Sequence, residues 1–328
     1  MATPSMFTVD NINYRKINLE FLSNSSSESF DIFYKTNSLG KVKFVKFAST
    51  DRQHQEKVQR LLETGEATDD FYIQDEDLFK YYAHATRTLR AIVSSDDVPT
   101  EVKTQKVYEV SKNIMHEFFE QNASPKILTA SDEVIEIMEE CFSDADVGFF
   151  AISKLTSKDY YTYTHSVNVG LYCMTYGIKV KLPQAESRQL GLGGMLHDVG
   201  KTKVRLELIN KDGKLTDDEF EEMKAHSPAG ESILKEMNCY DDCVLHMAGQ
   251  HHEKFGGGGY PNGLQGEDIA FGGRVCKVMD VYDALTTRRS YKKALRPFDA
   301  LTLMKKQMMA HFDPALLDNF IRLMGPDL

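Results

Sequence analysis

Residues 191–201 read GLGGMLHDVGK, an apolar segment that ends in His197 and Asp198. The apolar residues predict a buried helix, and Gly200 is typical of the residue at which such a helix stops. Adjacent side chains project about 100° apart on a helix, so the histidine can reach one metal ion while the carboxylate bridges to a second. Lys201 adds a positive charge directly after them. A His-Asp pair is common by itself, so its meaning depends on the surrounding residues.

Histidines are concentrated in this part of the chain, because seven of the ten lie at or beyond residue 165. His165 begins a segment in which Val167, Leu171 and Met174 mark a buried helical face. A single histidine on such a face is more often a packed core residue than a metal ligand. The core explanation therefore stays open for His165 taken alone.

His226 lies between two predicted helices. Thr216-x-x-Glu219 is a capping box, which predicts a helix that starts there and ends near His226. Ser227 and Pro228 suit the N-cap and the first position of the next helix. A histidine at such a junction can simply favour the helix dipole, which is the alternative to a role as a ligand.

Two pairs of polar residues complete the pattern. His251 and His252 precede four consecutive glycines, which predict a tight turn with exposed backbone beside a site. Asp280 and Asp283 stand at i and i+3 in the apolar segment RVCKVMDVYDALTT, which puts both on one helical face. Carboxylates in so apolar a segment need cations as partners.

The combined set of five histidines and two or three carboxylates suits two transition-metal ions better than one structural zinc ion. Two ions about 4 Å apart are the usual means of holding a hydroxide and a phosphoryl group for in-line displacement. The residues by themselves therefore favour a two-metal phosphohydrolase.

Composition excludes several classes of protein. Apolar residues make up 41% of the 328 residues and charged residues 27%, the balance of an ordinary globular protein. The net charge of −10 argues against sequence-independent binding to long nucleic acid, which depends on Lys and Arg. We find no signal-peptide pattern and no apolar run of about 18 residues, so we predict a cytoplasmic protein without a membrane span. The five scattered cysteines are expected to be reduced.

The chain divides into three predicted parts, with an α+β fold class overall. Residues 1–100 form a small mixed α/β domain of unknown sensory or partner-binding role, in which FDIFY (30–34) and VKFVKF (42–47) predict a β-hairpin. Residues 101–145 form a helical linker that carries one apolar stripe. Residues 146–328 form an all-α, metal-dependent catalytic domain.

The last part resembles an HD-GYP domain, of the HD superfamily of metal-dependent phosphohydrolases. The motifs that carry the resemblance stand in the family's order: His165, HDVGK (197–201), His226, HHE (251–253), GYP (259–261) and Asp280-x-x-Asp283. The resemblance implies an all-helical HD-type domain that hydrolyses cyclic di-GMP to pGpG or GMP in bacterial second-messenger signalling. It also implies two divalent transition-metal ions, iron or alternatively manganese.

The resemblance further implies a role for each matching residue. The first metal ion would be bound by His165, His197, Asp198 and Asp280, and the second by Asp198, His226, His251 and His252, with Asp198 as the bridge. A metal-bridging hydroxide would attack phosphorus, while Lys201 approaches the scissile phosphate and Asp283 orients it. Arg289, Lys292 and Tyr260 would contact the substrate; the alternatives are a solvated helix end for the two cations and a structural turn for the tyrosine.

Several positions depart from the family pattern. The loop after Lys201 reads VRL at 204–206, Gly256 begins a run of four glycines, and residues 288–291 read RRSY. Tyr161 replaces the glutamate with which some members hold a third metal ion. These loops leave an alternative, a catalytically weak metal-containing module that binds a cyclic dinucleotide or a protein partner. A phosphohydrolase of ordinary nucleotides is a third alternative, which the GYP stretch disfavours.

Overall fold

The computed structural model describes residues 6–17, 19, 30–38, 41–49, 71–120, 125–143, 162–209, 211, 213–238, 240–288 and 293–325. These residues belong to two compact units, Met1–Val98 and Pro99–Leu328. Each unit has its own secondary structure.

The first unit contains an antiparallel sheet whose five strands lie in the order β1-β2-β5-β3-β4. β3 pairs with β4 up to Ser38 opposite Lys41, so the predicted hairpin is confirmed. Strand β5 lies between β2 and β3, which are distant from it in sequence. The strands are β1 (Met6–Val9), β2 (Ile12–Ile17), β3 (Asp31–Ser38), β4 (Lys41–Ser49) and β5 (Phe71–Gln74).

Aromatic side chains fill the core of this sheet. Tyr14, Phe33 and Tyr72 come from three neighbouring strands and are buried together. The Tyr14 ring stacks on Phe44, with 4.0 Å between the ring centroids. The helix α1 (Leu78–Val93) follows β5 in the same unit. Alternation along the strands puts these rings on one face of the sheet.

The second unit is built from helices, and every strand among the described residues belongs to the first unit. The predicted α+β class with an all-α C-terminal domain is therefore confirmed. Across the described ranges, no helix is both long and apolar enough to cross a bilayer. The helices are α2 (Thr100–Glu120), α3 (Pro125–Ser143), α4 (Thr162–Lys179), α5 (Gln184–Leu196), α6 (Leu206–Ile209), α7 (Asp217–Lys224), α8 (His226–Met237), α9 (Asp242–Gln250), α10 (Phe271–Thr286), α11 (Pro297–Gln307) and α12 (Pro314–Leu323).

Helix α2 buries one stripe of apolar residues, as their spacing predicts. The four residues of the stripe are at most 3% exposed: Val107, Val110, Ile114 and Phe118. α2 packs against α3 and α4, and α3 packs against α5. The helices that the sequence suggests as a linker thus form part of the bundle that follows them.

Four helices form the centre of this unit, because α4 packs on α5, α5 on α9, α9 on α10, and α10 on α4. α8 packs on α9 and on a short 3-10 helix at Val199–Lys203. A Cβ atom at Gly200 would lie 1.8 Å from the carbonyl oxygen of His226, so this approach requires glycine. The predicted helix stop at Gly200 is wrong, because α5 already ends at Leu196 and Gly200 serves close packing instead.

The predicted capping box before α7 is confirmed. The Thr216 side chain accepts a hydrogen bond from the backbone nitrogen of Glu219, and the Thr216 nitrogen donates to the Glu219 carboxylate at 2.7 Å. Two backbone donors that have no partner within a helix are satisfied in this way. The box fixes the start of the helix that leads to His226.

Helix α8 begins two residues earlier than expected, at His226 rather than at Pro228 after an N-cap at Ser227. The Ser227 hydroxyl lies 2.9 Å from the carbonyl oxygen of Ala248 and 2.8 Å from that of Gly249, both on α9. Ser227 therefore ties α8 to α9 and does not cap its own helix. The sequence favoured a cap because serine at this kind of junction usually provides one.

The four cysteines that the structure describes are free: Cys141, Cys173, Cys243 and Cys276. Cys141, Cys173 and Cys276 are buried, which suits a reduced thiol that packs as a small apolar side chain. Cys239 lies outside the described residues.

Candidate metal centre

The packing of the central helices brings histidines and carboxylates to one place. Five of these residues are at most 1% exposed, and His252 and Asp280 are half-buried. The residues are His165 on α4, His197 and Asp198 after α5, His226 at the start of α8, His251 and His252 after α9, and Asp280 on α10.

These residues form two groups, in each of which the candidate ligand atoms lie within 4.8 Å of one another. Each group can hold a metal ion. The sequence prediction divided the ligands in the same way, with Asp198 assigned to both ions. The first group is His165, His197 and Asp280, and the second group is Asp198, His226, His251 and His252.

Asp198 lies between the two groups. Its Oδ2 atom is 3.3 Å from Nε2 of His197 and 3.8 Å from Nε2 of His165. Its Oδ1 atom is 3.5 Å from Nε2 of His226 and 3.8 Å from Nε2 of His251. Each carboxylate oxygen therefore faces a different group, which is the geometry of a bridging ligand.

Backbone carbonyls orient three of the histidine rings. A carbonyl oxygen only accepts hydrogen bonds, so the Nδ1 atom that faces it carries the proton. The lone pair on Nε2 is then directed into the site, as in metal-binding histidines generally. The Nδ1–oxygen distances are 2.7 Å for His197 to Gly194, 2.6 Å for His226 to Met223, and 2.9 Å for His251 to Met247.

His165 is oriented by a carboxylate instead. Its Nδ1 atom lies 2.7 Å from Oδ2 of Asp283. The other Asp283 oxygen accepts from Nδ2 of Asn168 at 2.8 Å, and the Tyr108 hydroxyl donates to Oδ1 of Asn168 at 2.7 Å. The sequence predicts that Asp283 orients the phosphate, whereas here both of its oxygens contact residues behind the site. A carboxylate in this position strengthens its histidine as a metal ligand.

The donor atoms of the second group suit a cation. Nε2 of His226 lies 3.3 Å from Nε2 of His251 and 3.1 Å from Nε2 of His252. The lone pairs of His226 and His251 converge, and a shared positive ion removes their repulsion. Within the described ranges, Nε2 of His197 and Oδ1 of Asp198 are buried without a hydrogen-bond partner, which is costly for polar atoms. Imidazole and carboxylate are common ligands of transition metals, so the residues fit such ions.

The two groups differ in charge. Burial raises the pKa of the Asp198 carboxyl, but Lys201 and His197 outweigh burial and hold that pKa well below its usual range. Burial lowers the pKa of His197, but the Asp198 carboxylate and Cys276 together outweigh burial and raise that pKa to about 9. Burial, together with His197 and His226, holds the pKa of His251 well below its usual range. In the metal-free site, a second proton on Nε2 is therefore favoured at His197 of the first group, while His251 of the second group is neutral.

Lys201 lies at the edge of the site, with Nζ 2.5 Å from Oδ2 of Asp198. The two residues are three apart, and Lys201 lies in a 3-10 helix, whose turn is three residues. Its side chain is 16% exposed, so the ammonium can approach a phosphate at the ligand atoms of Asp198.

A glycine loop places Tyr260 against the second group. A Cβ atom at Gly259 would lie 2.4 Å from the backbone nitrogen of Lys254, so the loop folds back on itself only with glycine there. The Tyr260 ring stacks on His252, with 4.5 Å between the centroids and 21° between the ring planes. Burial raises the pKa of the Tyr260 hydroxyl, which is therefore neutral.

Two predicted substrate contacts, Arg289 and Lys292, lie outside the described residues. In the altered loop after Lys201, Arg205 forms a two-bond ion pair with Glu222 of α7, at 2.8 Å and 2.7 Å. The loop thereby contacts the helix that precedes His226.

The chain matches the HD domain family over residues 151–316, about half of its length. The chain belongs to the HD domain family. The family match confirms the HD domain that the sequence motifs predicted.

Two relatives of this HD domain protein are named phosphodiesterases. A cyclic di-GMP phosphodiesterase of Pseudomonas aeruginosa is 36% identical over 196 residues, which cover 60% of this chain and 47% of the relative. A 3'3'-cGAMP-specific phosphodiesterase of Vibrio cholerae is 33% identical over 158 residues, which cover 48% of this chain and 34% of the relative. This chain thus spans about half or less of the length of these curated relatives.

A solved structure shows the same fold. An HDG"Y"P protein from Bdellovibrio bacteriovorus has a TM-score of 0.67 and 17% sequence identity, over 95% of this chain and 99% of that chain. This likeness shows that the chain has the fold of that protein.

Sequence reasoning missed two residues behind the first group of the HD domain. Asn168 follows His165 by three residues on α4, so the helical period could have placed it on the same face. Tyr108 lies on α2, and its contact with Asn168 spans 60 residues. No local pattern relates residues so far apart, and only helix packing reveals this hydrogen bond.

Proposed function

We propose that this protein is a metal-dependent phosphodiesterase that hydrolyses cyclic di-GMP to pGpG or GMP. The observation that carries the proposal is the Asp198 carboxylate, whose two oxygens face two separate groups of histidines. This arrangement is typical of two-metal centres that displace groups at phosphorus. The names of the relatives support the substrate class, because both act on cyclic dinucleotides.

The proposed ligands are those of the two groups. Iron is the proposed metal and manganese the alternative, since imidazole and carboxylate suit both. When bound, the two ions would lower the pKa of a water molecule and neutralise charge on the phosphoryl group. His165, His197, Asp198 and Asp280 would hold the first ion, and Asp198, His226, His251 and His252 the second.

Other residues of the chain would act around these ligands. Lys201 places its ammonium beside Asp198 and would stabilise the charge that develops on the phosphoryl oxygens. Asp283 would be a positioning residue, because it holds the ring of His165. Tyr260, Arg289 and Lys292 would contact the substrate. The cytoplasmic location and a protein partner stay predictions.

The test is hydrolysis by the full chain after anaerobic loading with iron(II) or manganese(II). Cyclic di-GMP, 3'3'-cGAMP and a nucleoside triphosphate are supplied separately, and bound metal is measured in the same samples. Asp198→Ala removes the bridge, while Asp242→Ala removes an exposed aspartate at the start of α9 and serves as the matched control.

The proposal expects cyclic di-GMP to be cleaved by the loaded protein and by Asp242→Ala, but not by Asp198→Ala. Cleavage of the nucleoside triphosphate alone would contradict it and favour an ordinary nucleotide phosphohydrolase. Bound metal without turnover of any cyclic dinucleotide would also contradict it and favour a binding module.

A further inference from the structure

Phe220 is an exposed aromatic residue beside the candidate metal centre. It lies on α7, between Glu219 and Glu221, and is 45% exposed. A phenylalanine in such a polar segment loses the benefit of burial.

Phe220 is the outer member of a row of three rings that ends at the second group. Its ring centroid is 6.2 Å from that of Tyr260, in an edge-to-face arrangement at 84°. Tyr260 in turn stacks on His252 at 4.5 Å. The row therefore runs from solvent to a candidate metal ligand, and two ring contacts separate Phe220 from that ligand.

A positive charge accompanies the outer two rings. Nζ of Lys224 lies 4.9 Å from the Phe220 centroid and 5.8 Å from the Tyr260 centroid. Glu221 holds this ammonium at 2.6 Å. Aromatic rings beside a cation are the usual features with which proteins bind the bases and phosphates of single-stranded nucleic acids.

We infer that Phe220 stacks on a purine base of the substrate and so determines affinity for cyclic dinucleotides. The inference rests on the proposed function, because it requires a cyclic dinucleotide with one phosphate at the metal ligands. In a nucleotide the base is separated from the phosphate by the sugar. The row of rings likewise separates Phe220 from the candidate metal ligand His252, so a base can reach Phe220 while its phosphate lies at the metal ligands. Phe220 is a substrate-binding residue in this arrangement and takes no part in the bond-breaking step.

A packing role is the competing explanation, and another exposed phenylalanine gives the matched control. Phe298 on α11 is 53% exposed and forms no ring pair among the residues that the structure describes. Loss of either ring from the surface should affect folding little. Only Phe220 should affect binding of a base.

The experiment compares F220A, F220L, F220Y and F298A in the full metal-loaded chain. Stacking contributes enough that F220A should raise KM for cyclic di-GMP about 5- to 150-fold, with kcat and metal content little changed. F220L keeps apolar contact with Tyr260 but lacks an aromatic face, so it should resemble F220A. F220Y should retain the low KM, and F298A should match the unaltered protein.

Binding provides a readout that does not depend on turnover. Equilibrium dialysis gives the affinity for cyclic di-GMP, and a cyclic dinucleotide that contains 2-aminopurine reports stacking through loss of its fluorescence. The unaltered protein and F298A should quench this fluorescence on binding, and F220L should quench it less.

Failure of the inference and failure of the proposed function are distinguishable. If the unaltered protein binds cyclic di-GMP without cleaving it and F220A binds more weakly, the proposed reaction is wrong and the inference stands. If F220A and F220L bind as tightly and quench as strongly as F298A, the inference is overturned whatever the turnover. If the unaltered protein neither binds nor cleaves any cyclic dinucleotide, both are overturned.

Discussion

In the first group His165 is supported by a carboxylate and His197 by a backbone carbonyl, whereas His226 and His251 of the second group are both supported by backbone carbonyls. The carboxylate of Asp283 adds negative charge behind its imidazole, while a carbonyl adds only a dipole. Asp283 also receives a hydrogen bond from Asn168, so the first group depends on side chains of several helices. The carbonyls belong to the same turns as their histidines. The two groups are therefore joined by Asp198 but can respond separately to substitution and to pH.

The largest expected effect comes from removal of one ligand from either group. His165→Ala and His226→Ala should each lower the metal content from about two ions to about one and reduce kcat/KM about 10²- to 10⁴-fold. In the proposed reaction each ion would supply part of the charge stabilisation, so neither group would suffice by itself. Metal analysis and steady-state kinetics on the same preparations measure both quantities.

His246→Ala is the matched control, since His246 lies on α9 close in sequence to His251 but outside both groups. This variant should keep its metal and its activity. Loss of both ions from His165→Ala or from His226→Ala would show that the two groups do not bind their metal ions independently. That result would contradict the separate response of the two groups to substitution.

A smaller effect is expected from the carboxylate behind His165. Asp283→Asn should weaken metal binding at the first group about 10- to 100-fold, because the neutral amide gives less support to the imidazole. The second group should keep its affinity. Titration with manganese(II) in chelator-buffered solutions resolves the two affinities.

Asn168→Ala removes the hydrogen bond to the other oxygen of Asp283 and the one that Asn168 accepts from the Tyr108 hydroxyl. Its effect on the first group should be smaller than that of Asp283→Asn. If Asp283→Asn weakened metal binding equally at both groups, the independence of the two groups would be contradicted.

The pH dependence of metal binding should also differ between the groups. The metal displaces a proton wherever a ligand histidine is protonated. Because the pKa of His197 is raised to about 9, the affinity of the first group should rise about tenfold per pH unit up to about pH 9. The pKa of His251 is lowered well below its usual range, so the second group should show little change above neutral pH.

Calorimetric titration of the metal-free protein in buffers of different ionisation enthalpy counts the protons released. Near neutral pH, about one proton should accompany the first group's ion and close to none the second group's. Equal proton release from both groups would contradict the electrostatic difference.

The smallest effect is expected at the capping box that precedes the second group. Thr216→Ala should lower the free energy of unfolding by about 1 kcal/mol, since the Glu219 nitrogen loses its side-chain acceptor. Chemical denaturation measures this change, and the first group should keep its metal affinity. A large loss of metal from the first group would show that the start of α7 supports the whole centre.

Local patterns predicted those features that depend on neighbours in sequence. The stripe of Val107, Val110, Ile114 and Phe118 predicted the buried face of α2, and turn-forming residues predicted the β3–β4 hairpin. The order of the sheet was not predictable in this way, because β5 pairs with strands that are distant in sequence.

Asp280 and Asp283 show the limit within the candidate site. Their spacing placed both on one face of α10, and both are indeed near His165. Spacing could not distinguish the oxygen that faces Nε2 of His165 from the oxygen that faces Nδ1. The packing of α4 on α10 makes that distinction, and it separates a candidate ligand from a residue that supports one.

The sequence by itself determined the family and the candidate ligands, since the order of its histidines and carboxylates is that of an HD domain. Periodicity also predicted the buried stripe of α2, because burial of one face depends on residues a few positions apart. Only the tertiary structure decided that Asp198 presents one oxygen to each group, that Asp283 stands behind His165, and that Phe220 extends the row of rings at the second group. These features depend on contacts between elements far apart in the chain, and such contacts are set by packing and leave no local pattern.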